Sequence, residues 1–143
     1  LELAKSRSTE NPVYYIQYAH ARVASVMRQL ADRGLAYDPA QGRSGLGKLV
    51  HAHERRLMAY LTRYPEVVAL AAGTRSVHTL VNYLRDLANE FHGAYSAGNE
   101  NADLRVIVDD ARLRDARLTL FLAARQVLRN GLALLGVSAP ETM

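Results

Sequence analysis

Apolar residues recur at intervals of three and four along most of the chain, which is the period of an amphipathic α-helix. The pattern is clearest between Val77 and Tyr95, where apolar side chains share one helical face and Asn82, Asp86 and Glu90 share the other. One run typical of a β-strand, at residues 104–108, is too short to form a sheet. The sequence therefore predicts an all-α fold.

Residues that start and stop helices divide the chain into five predicted helices. Asn11 is a typical N-cap residue followed by Pro12 at the first helical position, and Gly34 and Gly136 are typical of helix C-termini. Because the connections are mostly short and 143 residues suit one domain, we expect a single antiparallel helical bundle over residues 1–143. The predicted helices cover residues 12–34, 46–64, 65–72, 77–98 and 109–135, and residues 35–45 are predicted to form a loop.

Composition excludes several classes of protein. The chain has no cysteine, which excludes a disulfide framework, a thiolate nucleophile and an iron–sulfur cluster. No apolar stretch approaches the ~18 residues that a membrane-spanning helix needs. Apolar residues make up 49% of the chain, enough for a folded core. Because the sequence lacks an initiator Met, we expect it to be a piece of a longer protein.

The segment from Gly42 to Leu49 resembles a phosphate-binding loop in its glycine spacing and in the position of Lys48. Leu49, however, stands where such a loop has the hydroxyl group that binds Mg²⁺, and no buried strand precedes the segment. These departures favour a glycine-rich loop that leads into a helix. A nucleotide-binding fragment is kept as a remote alternative.

Candidate metal ligands and catalytic carboxylates have simpler explanations. His51 and His53 are two residues apart, so a helix would point them to different faces, whereas ligand pairs need spacings of three or four. His53 falls on an apolar face, where a hydrogen-bonded core histidine is the ordinary explanation. The sequence therefore predicts neither a metal site nor a catalytic site. Three aspartates are expected to cap the last helix and complement its dipole: Asp109, Asp110 and Asp115.

Arginine dominates the positive charge of the chain. The chain has 16 Arg and only 2 Lys against 14 Asp and Glu, which gives a formal net charge of +4. Six of the arginines lie between residues 105 and 129. Arginine offers a planar set of donors that suits phosphates, guanine edges and stacking on bases. This clustering of arginine between residues 105 and 129 is consistent with a nucleic-acid-binding face. Solvated helix faces in a protein from an arginine-rich proteome would give the same pattern.

Tyrosines crowd the start of the first predicted helix. Tyr14 and Tyr15 cannot both face a core that already receives Val13 and Ile16. An exposed aromatic ring beside arginine is a platform on which an unpaired base can stack. We expect Tyr14 and Tyr18 to pack against a neighbouring helix or domain, whereas both interpretations stay open for Tyr15.

Three segments resemble one protein family in the right order along the chain. Residues 11–22, from Asn11 to Arg22, resemble the start of the C-terminal helical domain of bacterial arginyl-tRNA synthetases. Residues 84–92 are similar to its middle helix, and residues 116–143 resemble its C-terminus. The resemblance implies an all-helical anticodon-binding domain of the type found in class I aminoacyl-tRNA synthetases. The domain is named DALR after a tetrapeptide, which residues 115–118 carry in a different order as Asp-Ala-Arg-Leu.

The resemblance also implies which residues bind tRNA. In the family, the anticodon stem and loop contact the connection into the last helix, the last helix itself and the extreme C-terminus. Carried over to this chain, these contacts fall on Asn101, Arg105, Arg117 and Met143. Tyr95 and Arg112 are neighbours of these positions, and Tyr15 is added from the tyrosine pattern described above. The complete candidate site is Tyr15, Tyr95, Asn101, Arg105, Arg112, Arg117 and Met143.

The signatures of the family's catalytic half, His-Ile-Gly-His and Lys-Met-Ser-Lys, do not occur in the chain. We therefore expect ATP and Mg²⁺ to belong to a catalytic domain that is absent here, and this domain to bind arginine tRNA without charging it. The expected partners are the anticodon stem-loop and the catalytic domain of the full-length cytoplasmic protein, with no membrane. The alternative hypothesis is a helical protein–protein interaction bundle in which the excess of arginine serves solubility.

Overall fold

A computed structural model describes residues 10–143, and every regular element within them is helical. Five helices of 11 to 24 residues and one of six residues confirm the predicted all-α class. The start of the predicted domain, at residue 1, lies outside the described residues. The helices are α1 (Pro12–Asp32), α2 (Pro39–Ser44), α3 (Ala52–Thr62), α4 (Tyr64–Thr74), α5 (Val77–Glu100) and α6 (Ala111–Leu134), with 3₁₀ turns at Leu46–Lys48 and Ala102–Leu104.

The ends of α1 and α6 are set by the residues that the sequence indicates. The Asn11 side chain accepts hydrogen bonds from the backbone N–H groups of Val13 and Tyr14 at 3.1 and 3.5 Å, which satisfies two free donors of α1. Gly34 and Gly136 follow the two helices with φ of 67° and 70°, a left-handed conformation in which glycine is unstrained. The predicted caps of these helices are thus confirmed.

Two of the three aspartates predicted to cap α6, Asp110 and Asp115, have different roles in the structure. Asp110 is the N-cap, and its Oδ1 accepts from the N–H groups of Arg112 and Leu113 at 3.0 and 3.1 Å. Asp115 is 1% exposed and is not a dipole partner. It accepts a hydrogen bond at 2.8 Å from Gln41 Nε2 and therefore joins α2 to α6.

The region from residue 35 to residue 64 differs from the prediction. Residues 35–45 are not only a loop, because Asp38 caps α2 with hydrogen bonds of 2.8 and 3.1 Å and Pro39 occupies its first position. The predicted helix over residues 46–64 begins later, at Ala52, where His51 and Glu54 form a reciprocal capping box. Val50, an apolar residue within the predicted helix, precedes α3 and is 64% exposed.

Two predicted helix ends also move. Helix α4 continues past the predicted end at residue 72 to Thr74 and stops where Arg75 adopts φ of 51°. Gly98 does not end α5, since it is buried within the helix. A Cβ at Gly98 would lie 3.0 Å from Arg105 Cα, so the missing side chain allows the following connection to pass close to α5.

Buried side chains of α1, α3, α4, α5 and α6 form the main core, and the antiparallel helices α5 and α6 meet within it. The Phe91 and Phe121 rings meet edge to face with centroids 4.9 Å apart, a favourable aromatic geometry. Near the other end of the pair, Leu84 packs against Gly131, where a Cβ would lie 2.4 Å from a Leu84 methyl carbon. Leu84 faces Gly131 and Phe91 faces Phe121, so these two sequential helices are antiparallel as expected. By contrast, Tyr15 lies beside His92 and Arg22 beside Tyr95, so α1 and α5 run in the same direction.

The glycine-rich segment serves the packing of α2 against α6. A Cβ at Gly42 would lie 2.1 Å from Thr119 Oγ1 and 2.6 Å from the Asp115 carbonyl oxygen. A Cβ at Gly45 would also be too close to α6, at 2.8 Å from the Arg112 carbonyl oxygen. Lys48 forms an exposed ion pair with Asp110 at 2.7 Å. These contacts agree with the structural interpretation of the segment.

Replacing Gly42 by Ala should therefore destabilise the fold by about 1–3 kcal/mol, the usual cost of an overpacked contact, although Ala normally favours a helix over Gly. Chemical denaturation measures the change. Gly47→Ala is the matched control, because nothing lies within 4 Å of that Cβ, and it should have no destabilising effect. Equal stability of the two variants would contradict the proposed packing role of Gly42.

Candidate RNA-binding site

Two adjacent surface grooves share the side chain of Tyr95 as a common wall. The connection groove has a volume of about 230 Å³ and is lined by the C-terminal part of α1, by the end of α5 and by residues 105–107, which precede α6. The tail groove has a volume of about 360 Å³ and lies between α1 and the last two residues of the chain. The two linings contribute four arginines and no carboxylate side chain: Arg33 and Arg105 in the connection groove, and Arg22 and Arg28 in the tail groove.

One face of α1 supplies residues to both grooves. Tyr18, Arg22 and Ser25 line the tail groove, and Gln29 and Arg33 line the connection groove. Their spacings of four, three, four and four place them in one stripe along the helix. The other side of the helix is buried, which leaves this stripe as a polar and aromatic surface. This polar stripe was not predicted from the sequence. The spacing of three and four residues that predicted the apolar helix faces would also have indicated it.

Arg22 is stacked between two tyrosines. Its guanidinium carbon lies 4.5 Å from the ring centroids of both Tyr18 and Tyr95, a distance at which cation–π attraction is favourable. One nitrogen donates to the Tyr18 hydroxyl at 2.5 Å and another donates to His92 Nδ1 at 3.1 Å. Arg22 therefore links α1 to α5 and holds the side chain that separates the two grooves.

His92 is a buried neighbour of this arginine. Its ring centroid lies 4.7 Å from that of Tyr15 and 5.5 Å from that of Tyr18. Burial, and to a smaller extent the positive charge of Arg22, lower the pKa of His92 to about 4 against a smaller opposing effect of the Tyr15 backbone. The imidazole is therefore neutral at pH 7.

The C-terminal tail is fixed across α1. The His20 ring, which is 0% exposed, donates from Nδ1 to the Pro140 carbonyl oxygen at 2.8 Å. Gln17 Nε2 donates to the Ser138 carbonyl oxygen at the same distance. Glu141 forms an ion pair with Arg125 of α6. These contacts bring Met143 to the tail groove.

The connection between α5 and α6 is fixed by the buried side chain of Arg117. Its Nε donates to Glu54 Oε1 at 2.7 Å, which joins α6 to α3. Its Nη1 donates to the carbonyl oxygens of Asp103 and Arg105 at 2.7 and 2.8 Å. Arg105 itself is exposed and donates from Nε to the Gly98 carbonyl oxygen at 3.3 Å. Arg117 thus determines the position of one side of the connection groove.

The structure brings together three of the seven residues predicted for the site, because Tyr95, Arg105 and Met143 all line the grooves. Asn101 is exposed at the start of the connection, where its side chain accepts from Asp103 N–H at 2.9 Å. The other three lie outside both linings: Tyr15 is half-buried against His92, Arg117 is buried, and Arg112 is exposed and donates to the Ser44 carbonyl oxygen at 3.0 Å.

No group of three His, Asp or Glu side chains among residues 10–143 is placed to hold a metal ion. None of the helices there is both long and apolar enough to cross a membrane.

Comparison with known proteins identifies the family of the chain. Residues 16–143 match the model of the DALR anticodon binding domain. The chain is 53% identical over 143 residues to an arginine–tRNA ligase of Thioalkalivibrio sulfidiphilus and 52% identical over 143 residues to one of Coxiella burnetii. In both comparisons the whole chain matches, but it spans only 23% of the length of these curated relatives.

A solved structure gives the same result. The arginyl-tRNA synthetase of Thermus thermophilus is 36% identical to the chain, with a TM-score of 0.72, and the match covers 90% of this chain and 21% of that one. The fold, the family match and the sequence identities together show that the chain belongs to the DALR anticodon binding domain family.

Proposed function

We propose that this domain binds the anticodon stem-loop of arginine tRNA through the connection groove and the tail groove. The observation that carries the proposal is the pair of arginine-lined grooves on either side of Tyr95, whose linings contain no carboxylate side chain. Such a lining suits an anionic backbone with unpaired, splayed bases, which is how proteins commonly recognise RNA loops.

Arginine and aromatic side chains take different roles in this proposal. Arg28, Arg33 and Arg105 bind phosphates, which gives affinity but little sequence information. Tyr95 provides a surface for a base, and Met143 provides an apolar contact next to it. The Asn101 amide lies beside the grooves, where it can bind a base edge.

The remaining predicted site residues support the grooves or lie away from them. Arg117 positions the connection by its bonds to backbone carbonyl oxygens, and Tyr15 packs on His92. Arg112 lies beside Ser44 at the junction of α2 and α6, so we assign it to a phosphate outside the grooves.

We further propose that the domain works within a longer cytoplasmic arginine–tRNA ligase, whose catalytic domain attaches arginine to tRNA with ATP and Mg²⁺. This proposal is supported by relatives that carry that name and are about four times as long. Exposed apolar side chains on α4, on α5 and at the end of α6 offer surfaces for contact with that catalytic domain: Leu70, Val77 and Leu134.

Binding to an arginine anticodon stem-loop should weaken steeply with salt and exceed binding to an unrelated hairpin. Arg105→Ala should reduce the slope of log K against log salt concentration by about one, because one phosphate contact is lost. Tyr95→Leu should weaken binding about tenfold, in keeping with the loss of a stacked base. Fluorescence anisotropy at several salt concentrations measures both effects.

Arg55→Ala is the charge-matched control for Arg105→Ala, because Arg55 is exposed on α3 and lines neither groove. It should leave the affinity and the salt slope nearly unchanged. If the wild-type domain does not distinguish the arginine stem-loop from the hairpin, a protein–protein interaction bundle becomes the better description.

Arg117→Ala should lower the free energy of unfolding by about 3–5 kcal/mol, because it leaves the Glu54 carboxylate buried without its partner. The double variant Glu54→Leu, Arg117→Met should lose less stability than Arg117→Ala alone. Urea denaturation compares them with Arg112→Ala, an exposed arginine on the same helix, which should change stability by less than about 0.5 kcal/mol. A similar loss for both single variants would argue against a special role for the buried pair.

Deleting Met143 should reduce discrimination between the two RNAs without lowering the melting temperature, because this residue is 49% exposed and contributes little to the core. Met143→Leu is the matched control and should retain the discrimination, since it keeps an apolar side chain in the tail groove. Calorimetry and anisotropy together test the expectation, and a lower melting temperature with unchanged discrimination would contradict it.

A further inference from the structure

His92 contacts the arginine beside the shared wall, although it lines neither groove. Its Nδ1 lies 3.1 Å from a guanidinium nitrogen of Arg22, and the Arg22 guanidinium stacks on Tyr95. Three aromatic rings surround the imidazole: Tyr15, Tyr18 and Phe91, with centroids 4.7, 5.5 and 5.4 Å away. The imidazole is therefore held in a fixed orientation toward Arg22.

The direction of this hydrogen bond determines the form of the imidazole. A guanidinium group only donates hydrogen bonds and stays protonated in proteins. His92 Nδ1 must then be the unprotonated acceptor, which places the ring proton on Nε2. Burial and the charge of Arg22 both lower the pKa of His92, so the same neutral form is favoured at pH 7.

This acceptor completes the surroundings of the Arg22 guanidinium. Tyr18 and Tyr95 lie against it, and the Tyr18 hydroxyl accepts from one nitrogen. Stacking alone leaves a planar group free to slide and turn, whereas hydrogen bonds to two different nitrogens fix its rotation. Charge-assisted hydrogen bonds such as these are the stronger class.

We propose that His92 is a positioning residue for RNA binding, which as a neutral acceptor fixes the Arg22 guanidinium and through it the Tyr95 ring that both grooves share. This inference rests on the proposed function of the grooves. It extends that function by one residue that touches no RNA.

Two variants of His92 separate its role as an acceptor from its role in packing. His92→Asn places a carbonyl oxygen on Cγ, close to where Nδ1 lies in histidine. The leucine of His92→Leu has nearly the same shape as asparagine but offers no hydrogen-bond acceptor. Both lose the ring contacts, and His92→Asn also buries an amide group, so it should be no more stable than His92→Leu. His92→Leu should bind the arginine stem-loop about tenfold more weakly than wild type, whereas His92→Asn should stay within about threefold. Equal affinity of the two variants would overturn the proposal.

A measurement without RNA tests the same inference independently. Long-range ¹H–¹⁵N NMR spectra of the wild-type chain at pH 7 should show His92 neutral, with Nδ1 unprotonated and the proton on Nε2. A proton on Nδ1, or a charged ring, would overturn the positioning role even if the RNA experiment agreed. By contrast, the expected spectrum together with no preference for the arginine stem-loop would overturn the proposed function of the grooves and leave the contact between His92 and Arg22 in place.

Discussion

A buried guanidinium group joins three parts of the chain on which the connection groove depends. Arg117 of α6 binds the Glu54 carboxylate of α3 and two carbonyl oxygens of the connection between α5 and α6. The bonds to the connection are important because its residues 105–107 form no regular structure that could hold them in place. A charge removed from water is costly unless it is paired and hydrogen-bonded, and this pairing compensates that cost while fixing the backbone that carries Arg105.

The two grooves form where different segments of the chain meet around a single tyrosine, Tyr95. Tyr95 lies on α5, yet one groove beside it is completed by the connection and the other by the C-terminal tail. Helix α1 passes both grooves and presents Arg22 to the Tyr95 ring. The rigidity of this wall depends on contacts among buried and half-buried groups, among them His92. Substitutions beneath the wall should therefore alter binding at the surface.

Small residues decide how closely the helices approach one another. Gly42 and Gly45 look like part of a phosphate loop in the sequence, but in the fold they let α2 pack against α6. Gly98 in the same way lets the connection pass next to α5. A pattern of glycines is therefore ambiguous until the neighbouring backbone is known, because the same missing Cβ serves ligand approach and helix packing equally well.

The sequence by itself determined the all-α class and the ends of α1 and α6, because helical periodicity and capping act within a few residues of the chain. It also indicated Tyr95, Arg105 and Met143 through resemblance to a known family. The burial of Arg117, the stacking of Arg22 and the role of His92 were decided only by the tertiary structure. Each of these depends on groups far apart in the sequence, such as Arg117 and Glu54, which local patterns cannot bring together. Only the packing of the helices determines which arginine lies at the surface and which becomes part of the core.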